Sequence, residues 1–138
     1  MKKLFTRAFL PLLLLLLSLF MTSCDDAETI TLNVYNWGEY ISDGSENSLN
    51  VNKEFEKYYL DHYGVKLKVN YTTYASNEDM YAKLKSGATS YDVIIPSDYM
   101  IARMRQEGML LELDFDNIPN YQYIDEIFKN TSYDPENK

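Results

Sequence analysis

The 138-residue chain is poor in the residues that most often carry chemistry or lock a fold covalently, with one cysteine, one histidine and one tryptophan. Cys24 has no second thiol to pair with, so an intramolecular disulfide is excluded and the core must hold by packing. His62 and Cys24 form no cluster at metal-ligand spacing, and no glycine-rich phosphate loop is present. Internal repeats and low-complexity tracts are absent. No apolar run reaches the ~20 residues that a spanning helix needs. Basic residues are also in the minority, 13 against 21 acidic, for a net charge of −8 with histidine neutral.

The short apolar run that does exist lies at the amino terminus. Lys2, Lys3 and Arg7 precede the uncharged residues 9–20, "FLPLLLLLLSLF", in the arrangement of an export signal rather than of a folded segment. The run ends in Met21-Thr22-Ser23-Cys24, which resembles the lipobox of bacterial lipoproteins. The plain alternative is an ordinary signal peptide beside a stray thiol. A lipid on Cys24 explains why an exported chain keeps one unpaired cysteine. The expected division is a lipoprotein signal peptide over residues 1–23, an anchor linker over 24–29 and a folded domain over 30–138. Export would leave the chain on the outer face of the cytoplasmic membrane, in a periplasm or at a cell surface. Cleavage removes three basic residues and no acidic ones, moving the net charge from −8 to −11. Such a chain repels nucleic acid and anionic headgroups and favours cationic partners, although acidity also serves solubility by itself.

The remaining sequence alternates strand and helix signals. Ile30, Leu32 and Val34 alternate with polar or amphipathic neighbours at the period of two of a strand. After the polar stretch "GSENSLN", Val51, Phe55, Tyr58, Tyr59 and His62 recur at helical spacing up to Gly64. Val65, Leu67, Val69 and Tyr71 make a second strand. Ser76-Asn77-Glu78-Asp79 reads as a helix start, because a serine oxygen caps free amides and acids complement the helix dipole. Met80 and Leu84 give that helix an apolar side, closed by Gly87. Tyr91-Asp92-Val93-Ile94-Ile95 reads as a strand buried on both faces. Ser97 is placed to cap a third helix carrying Ile101 and Met104 and ended by Gly108. A fourth strand is expected over residues 109–113, and a last helix over 121–129. This order predicts an α/β fold, an open, mostly parallel sheet with flanking helices.

In such sheets ligands bind beyond the carboxyl ends of the strands. Two clusters are expected there: Trp37-Gly38-Glu39-Tyr40 after the first strand and Ser97-Asp98-Tyr99 after the third. Trp37, Tyr40 and Tyr99 offer π-faces, each worth ~0.5 to 2 kcal/mol to a cation. Glu39 and Asp98 offer charge-assisted acceptors, and Ser97 a neutral one. Aromatic walls with a few carboxylates suit an elongated cation with ammonium groups and methylene stems. The same rings would serve equally well to plug the edge of the domain, since the chain has 13 tyrosines.

The segments "YNWGEYIS", "YASNEDMYAKLKSG", "YDVIIPSDYMI" and "RQEGML" together resemble the substrate-binding lipoproteins of bacterial polyamine ABC transporters, the spermidine/putrescine-binding proteins, over residues 32–135. The resemblance implies a periplasmic-binding-protein-like fold of type II and polyamine binding at Trp37, Glu39, Tyr40, Ser97 and Tyr99, with Asp98 as an additional acceptor. It implies a polyamine ligand, permease subunits as partners, a membrane contact through the lipid, and no cofactor. Family members continue into a second lobe, so this chain is expected to be the N-terminal lobe alone, stopping before the hinge.

An enzyme is disfavoured. His62 sits near a helix end, where packing or the dipole accounts for it. Glu39 and Asp98 could mimic a glycosidase pair, but the pattern around them matches the binding family. The alternatives are a binding lipoprotein for another small cation or metabolite, and an anchored fragment that binds nothing.

Overall fold

The computed structural model describes residues 29–137. The expected leader, Cys24 and most of the linker lie outside the described residues. Strand β1, Ile30–Trp37, is the centre of a three-stranded parallel sheet. Strand β2, Leu67–Tyr74, pairs along its whole length, from Ile30 opposite Leu67 to Trp37 opposite Tyr74. Strand β3, Val93–Ile94, lies on the other side, with Val34 opposite Val93 and Tyr35 opposite Ile94. The order β2-β1-β3 therefore puts consecutive strands on opposite sides of β1. The chain leaves β1 in one direction and β3 lies in the other, which makes the carboxyl ends of β1 and β3 the topological switch point.

Register is fixed by a polar ladder as well as by the apolar pattern. Asn70 Nδ2 donates to Asn33 Oδ1 at 2.8 Å, and Asn33 Nδ2 donates to Asp92 Oδ2 at 3.1 Å, so one row of side chains ties β2, β1 and the residue that leads into β3. The same Asp92 oxygen accepts the Asn33 backbone N–H at 2.7 Å, lengthening the β1–β3 ladder by a rung where β3 has not yet begun. On the outer edge of β2, Glu56 Oε1 accepts the Val69 N–H at 2.9 Å. That bond occupies an edge donor that could otherwise pair with another strand.

Helix α1, Val51–Tyr63, crosses from β1 to β2. Asn50 caps its start by accepting the Lys53 N–H at 3.0 Å, and Gly64 ends it at φ 67°, a left-handed conformation that costs a side chain about 1 kcal/mol or more. The helix turns Asn52, Glu56 and Tyr59 inward while Phe55, Tyr58 and Tyr63 stay exposed, so the apolar stripe read from spacing is only partly the packed one. His62 is exposed and stacks on Tyr58, the ring centroids 4.2 Å apart. Helices α2, Asn77–Lys85, and α3, Asp98–Gln106, cover the face of the sheet that carries Tyr35. Met80, Met100 and Met104, exposed by 1% or less, fill the core with Tyr35 and Tyr74. Ser76 caps α2 as expected, accepting the Asp79 N–H at 3.1 Å.

Four expectations are corrected. The third strand is two residues long and lies at an edge with Val93 42% exposed, so it is not buried on both faces. Residues 109–113 form no strand: Met109 and Leu110 fold back on the core, while Leu111 is 94% exposed. Residues 121–129 form short 3₁₀ turns, Pro119–Tyr123 and Glu126–Phe128, instead of a helix. Asp125 restarts the second turn by accepting the Ile127 N–H, and Tyr123, Ile127 and Phe128 stay 63% or more exposed, which leaves little of the packing that sustains a short helix. Ser97 stands at the cap position of α3 but makes no side-chain cap bond; its hydroxyl is oriented toward Asn77, from which it accepts.

Glu107 joins the ends of α2 and α3. Its carboxylate pairs with Lys85, accepts Tyr81 Oη at 2.7 Å and pairs with Arg103 Nε at 3.1 Å. The Lys85 ammonium first, then the Tyr81 hydroxyl and Arg103, hold this carboxyl down at about 2 against an ordinary value of 4.5. The folded state thus favours the charged form. Its stabilisation is complete above the unfolded value and is lost as pH falls from about 4.5 to about 2. Glu107→Gln should lower the thermal midpoint at neutral pH and flatten the loss of stability across that acid window, checked by thermal unfolding at a series of pH values. Asp92→Ala should destabilise by about 1 kcal/mol through the lost Asn33 bonds, read from urea unfolding monitored by far-UV dichroism.

Candidate functional site

Trp37 is the last residue of β1, and the turn after it carries Glu39 and Tyr40. Glu39 adopts φ 56°, a left-handed conformation unusual for a residue with a side chain, and the chain turns there at the carboxyl edge. Glu39 is exposed and Tyr40 is 60% exposed. Trp37 is half-buried because a row of rings supports it. Its ring lies 4.6 Å from that of Tyr74, Tyr74 meets Tyr35 edge-on at 4.9 Å, and Tyr35 stacks on Tyr91 at 4.4 Å. Such pairs contribute ~0.5 to 1.5 kcal/mol each beyond simple burial. Burial, reinforced by the neighbouring tyrosines, pushes the Tyr74 hydroxyl up to about 12, so it remains a donor throughout the neutral range. It donates to the Ile95 carbonyl at 2.5 Å, linking the rings under Trp37 to the segment that leads into Ser97.

The second cluster opens α3. Ser97 is half-buried, Asp98 exposed and Tyr99 52% exposed. Both hydroxyls converge on Asn77, the first residue of α2, which is 4% exposed. Asn77 Nδ2 donates to Ser97 Oγ at 3.0 Å and to Tyr99 Oη at 2.9 Å, and Asn77 Oδ1 accepts the Ser97 N–H at 3.1 Å. Tyr99 Oη in turn donates to Glu78 Oε1 at 3.0 Å. Asp98 behaves differently, since its Oδ1 accepts the Tyr99 N–H of its own first turn at 2.7 Å.

Parallel pairing of β1 and β3 therefore puts both clusters at the same, carboxyl edge of the sheet. Ser97 and Tyr99 are joined through one side chain, and Trp37 reaches them through Tyr74 and Ile95. The arrangement is an open ledge on which each cluster brings both a ring and a carboxylate: Trp37, Tyr40 and Glu39 after β1, and Tyr99 with Glu78 at the starts of α3 and α2. A groove of about 340 Å³ lined by Phe115, Tyr121, Ile124 and Phe128 lies in the C-terminal segment and shares no residue with it. Among the described residues, no group of three or more His, Cys, Asp or Glu is placed to hold a metal, and no helix is long and apolar enough to cross a membrane.

Sequence reasoning missed Tyr74, Asn77 and Glu78. Asn77 and Glu78 were read only as a helix start, yet a helix that follows a parallel strand begins at the carboxyl edge. That rule alone brings the first turn of α2 to the ledge.

No family model matches the chain. The spermidine/putrescine-binding periplasmic protein of Salmonella typhimurium is 36% identical over 122 residues, which are 88% of this chain and 32% of that protein. Among solved structures, the spermidine/putrescine ABC transporter substrate-binding protein PotD of Streptococcus pneumoniae superposes with a TM-score of 0.64 at 39% identity, covering 79% of this chain and 30% of that one. The TpPotD lipoprotein of Treponema pallidum superposes with a TM-score of 0.58 at 34% identity, covering 77% and 30%. The chain spans about a third of the length of the curated relatives it matches. Over that span, the chain is similar in sequence and in fold to the spermidine/putrescine-binding periplasmic proteins.

Proposed function

We propose that this chain contributes the ledge of a polyamine site in the extracytoplasmic substrate-binding component of an ABC importer, as the N-terminal lobe of that component. The observation that carries the reading is the placement of Trp37, Tyr40 and Tyr99 with Glu39 and Glu78 at the β1/β3 switch point of a fold shared with spermidine/putrescine-binding proteins. Rings accept the methylene stems and the ammonium charge, and carboxylates take the N–H donors. The function is capture and delivery to permease subunits, without chemistry on the ligand. Trp37, Glu39, Tyr40, Ser97 and Tyr99 are the contact residues. Asp98 is a weaker candidate, because one of its oxygens is committed to its own helix.

The reading has a direct test in the chain's sole tryptophan, whose fluorescence reports on the ledge. Titration with spermidine or putrescine should give a saturable change that weakens as salt rises, because the charges are exposed. Trp37→Ala, followed by calorimetry, should weaken binding by ~3- to 30-fold through the lost ring. Glu39→Gln should weaken it through lost charge with no change in thermal midpoint. Unchanged affinity in both variants would sink the assignment.

We also propose that the chain is exported and held at the membrane by lipid on Cys24, as its Met-Thr-Ser-Cys run implies. One acyl chain holds only marginally, so stable anchoring needs the several that a bacterial lipoprotein carries. Labelled palmitate should enter the unmodified chain and be absent from Cys24→Ala; equal incorporation rules the anchor out.

A further inference from the structure

We infer that Asn77 is the positioning residue of the ledge, a buried amide that sets both the orientation and the hydrogen-bond polarity of Ser97 and Tyr99. The inference rests on the amine-binding reading above for its consequence, and on geometry for its mechanism. Asn77 is 4% exposed, and all three of its side-chain bonds cross to the start of α3, 20 and 22 residues away in sequence. Asn36 offers the contrast within the same chain: equally buried, it accepts the N–H of its immediate neighbour Trp37 and orients nothing distant.

The proton count gives the mechanism. The two Nδ2 protons of Asn77 go to Ser97 Oγ and Tyr99 Oη, so the Ser97 oxygen uses one lone pair and keeps one, while the Tyr99 oxygen spends its in-plane pair on Asn77. The proton of Tyr99 is committed to Glu78 Oε1. A phenol that donates to a carboxylate becomes a stronger acceptor. The remaining lone pair on Ser97 and the Glu78 carboxylate that Tyr99 holds therefore suit N–H donors, and a protonated primary amine is the class that brings several such donors with positive charge. Both hydroxyls are ordered before the ligand arrives, which removes part of the rotamer cost of binding. Without Asn77, Ser97 is already at the cap position of α3 and is free to turn its hydroxyl onto the helix amides, while the half-exposed Tyr99 loses the donor that holds it. Loss of Asn77 should thus separate stability from binding, since the new cap offsets part of the lost network while the ledge loses its order.

Two measurements on the full chain test this. In the absence of ligand, side-chain coupling constants from NMR should report one Tyr99 rotamer in the unmodified chain and rotamer averaging in Asn77→Ala. Unchanged couplings overturn the positioning role whether or not any amine binds. If that variant fails to fold, Asn77→Asp keeps the acceptor oxygen and removes both N–H donors, and the same couplings decide. With spermidine as probe and Trp37 fluorescence as signal, Asn77→Ala should weaken binding by ~10-fold. Ser97→Ala with Tyr99→Phe should lose a similar factor, and adding Asn77→Ala to that pair should cost little more. A further full loss in the combined variant overturns the mechanism through the hydroxyls. Absence of any response to spermidine or putrescine in the unmodified chain instead overturns the amine-binding reading and the class of ligand, leaving the couplings to judge the positioning.

Discussion

Two backbone pairs, Val34 with Val93 and Tyr35 with Ile94, hold β3 against the flank of β1 opposite β2, and the geometry of the ledge depends on them. Were β3 added beyond β2 instead, the segment carrying Ser97 and Tyr99 would start two strand widths, about 10 Å, from Trp37. So short a pairing is reinforced from outside the ladder. Asp92 supplies a side-chain rung before β3 begins, and the Tyr74 hydroxyl reaches across β1 to the Ile95 carbonyl where β3 ends. Both reinforcements are polar and directional, and they secure the register that two rungs alone would leave weakly specified.

The same topology creates an electrostatic problem. Helices α2 and α3 both begin at the carboxyl edge, and the partial positive charge of their amino ends faces any ligand there. A cationic ligand would be repelled unless that charge were offset. The first turns carry Glu78, Asp79 and Asp98, and hydrogen bonds divide these acids by role. Asp79 is bonded to its own cap residue Ser76 and Asp98 to the N–H of Tyr99. Glu78 is the acid turned toward the other helix, onto the Tyr99 hydroxyl. Neutralising the helix ends and presenting a carboxylate are thus tasks of different residues, although all three look alike in sequence.

The aromatic residues divide in a similar way. Tyr35, Tyr74 and Tyr91 form a packed row inside, and Trp37 is the ring where that row reaches the edge. Packing and display were posed as rival accounts of the Trp37 cluster, but the row joins them: Trp37 is half-buried because it rests on Tyr74, whereas Tyr40, with no such support, is 60% exposed.

Much of this was legible in the sequence where the signal is local. Period-two alternation gave β1 and β2, Ser76 and Gly64 marked helix ends through backbone bonding within a few residues, and strand–helix alternation implied a parallel sheet. Tertiary structure alone decided what depends on a partner. Residues 109–113 have a strand's composition but their first two side chains pack on the core instead, and residues 121–129 have helical spacing but leave Tyr123, Ile127 and Phe128 mostly exposed. Ser97 reads as a cap in any local analysis, yet its hydroxyl is oriented toward a buried amide of another helix, from which it accepts. Asn77 carries no local sign of its role, because a side chain whose three bonds lie 20 and 22 residues away is specified by the packing of α2 against α3 and by nothing nearer in the chain.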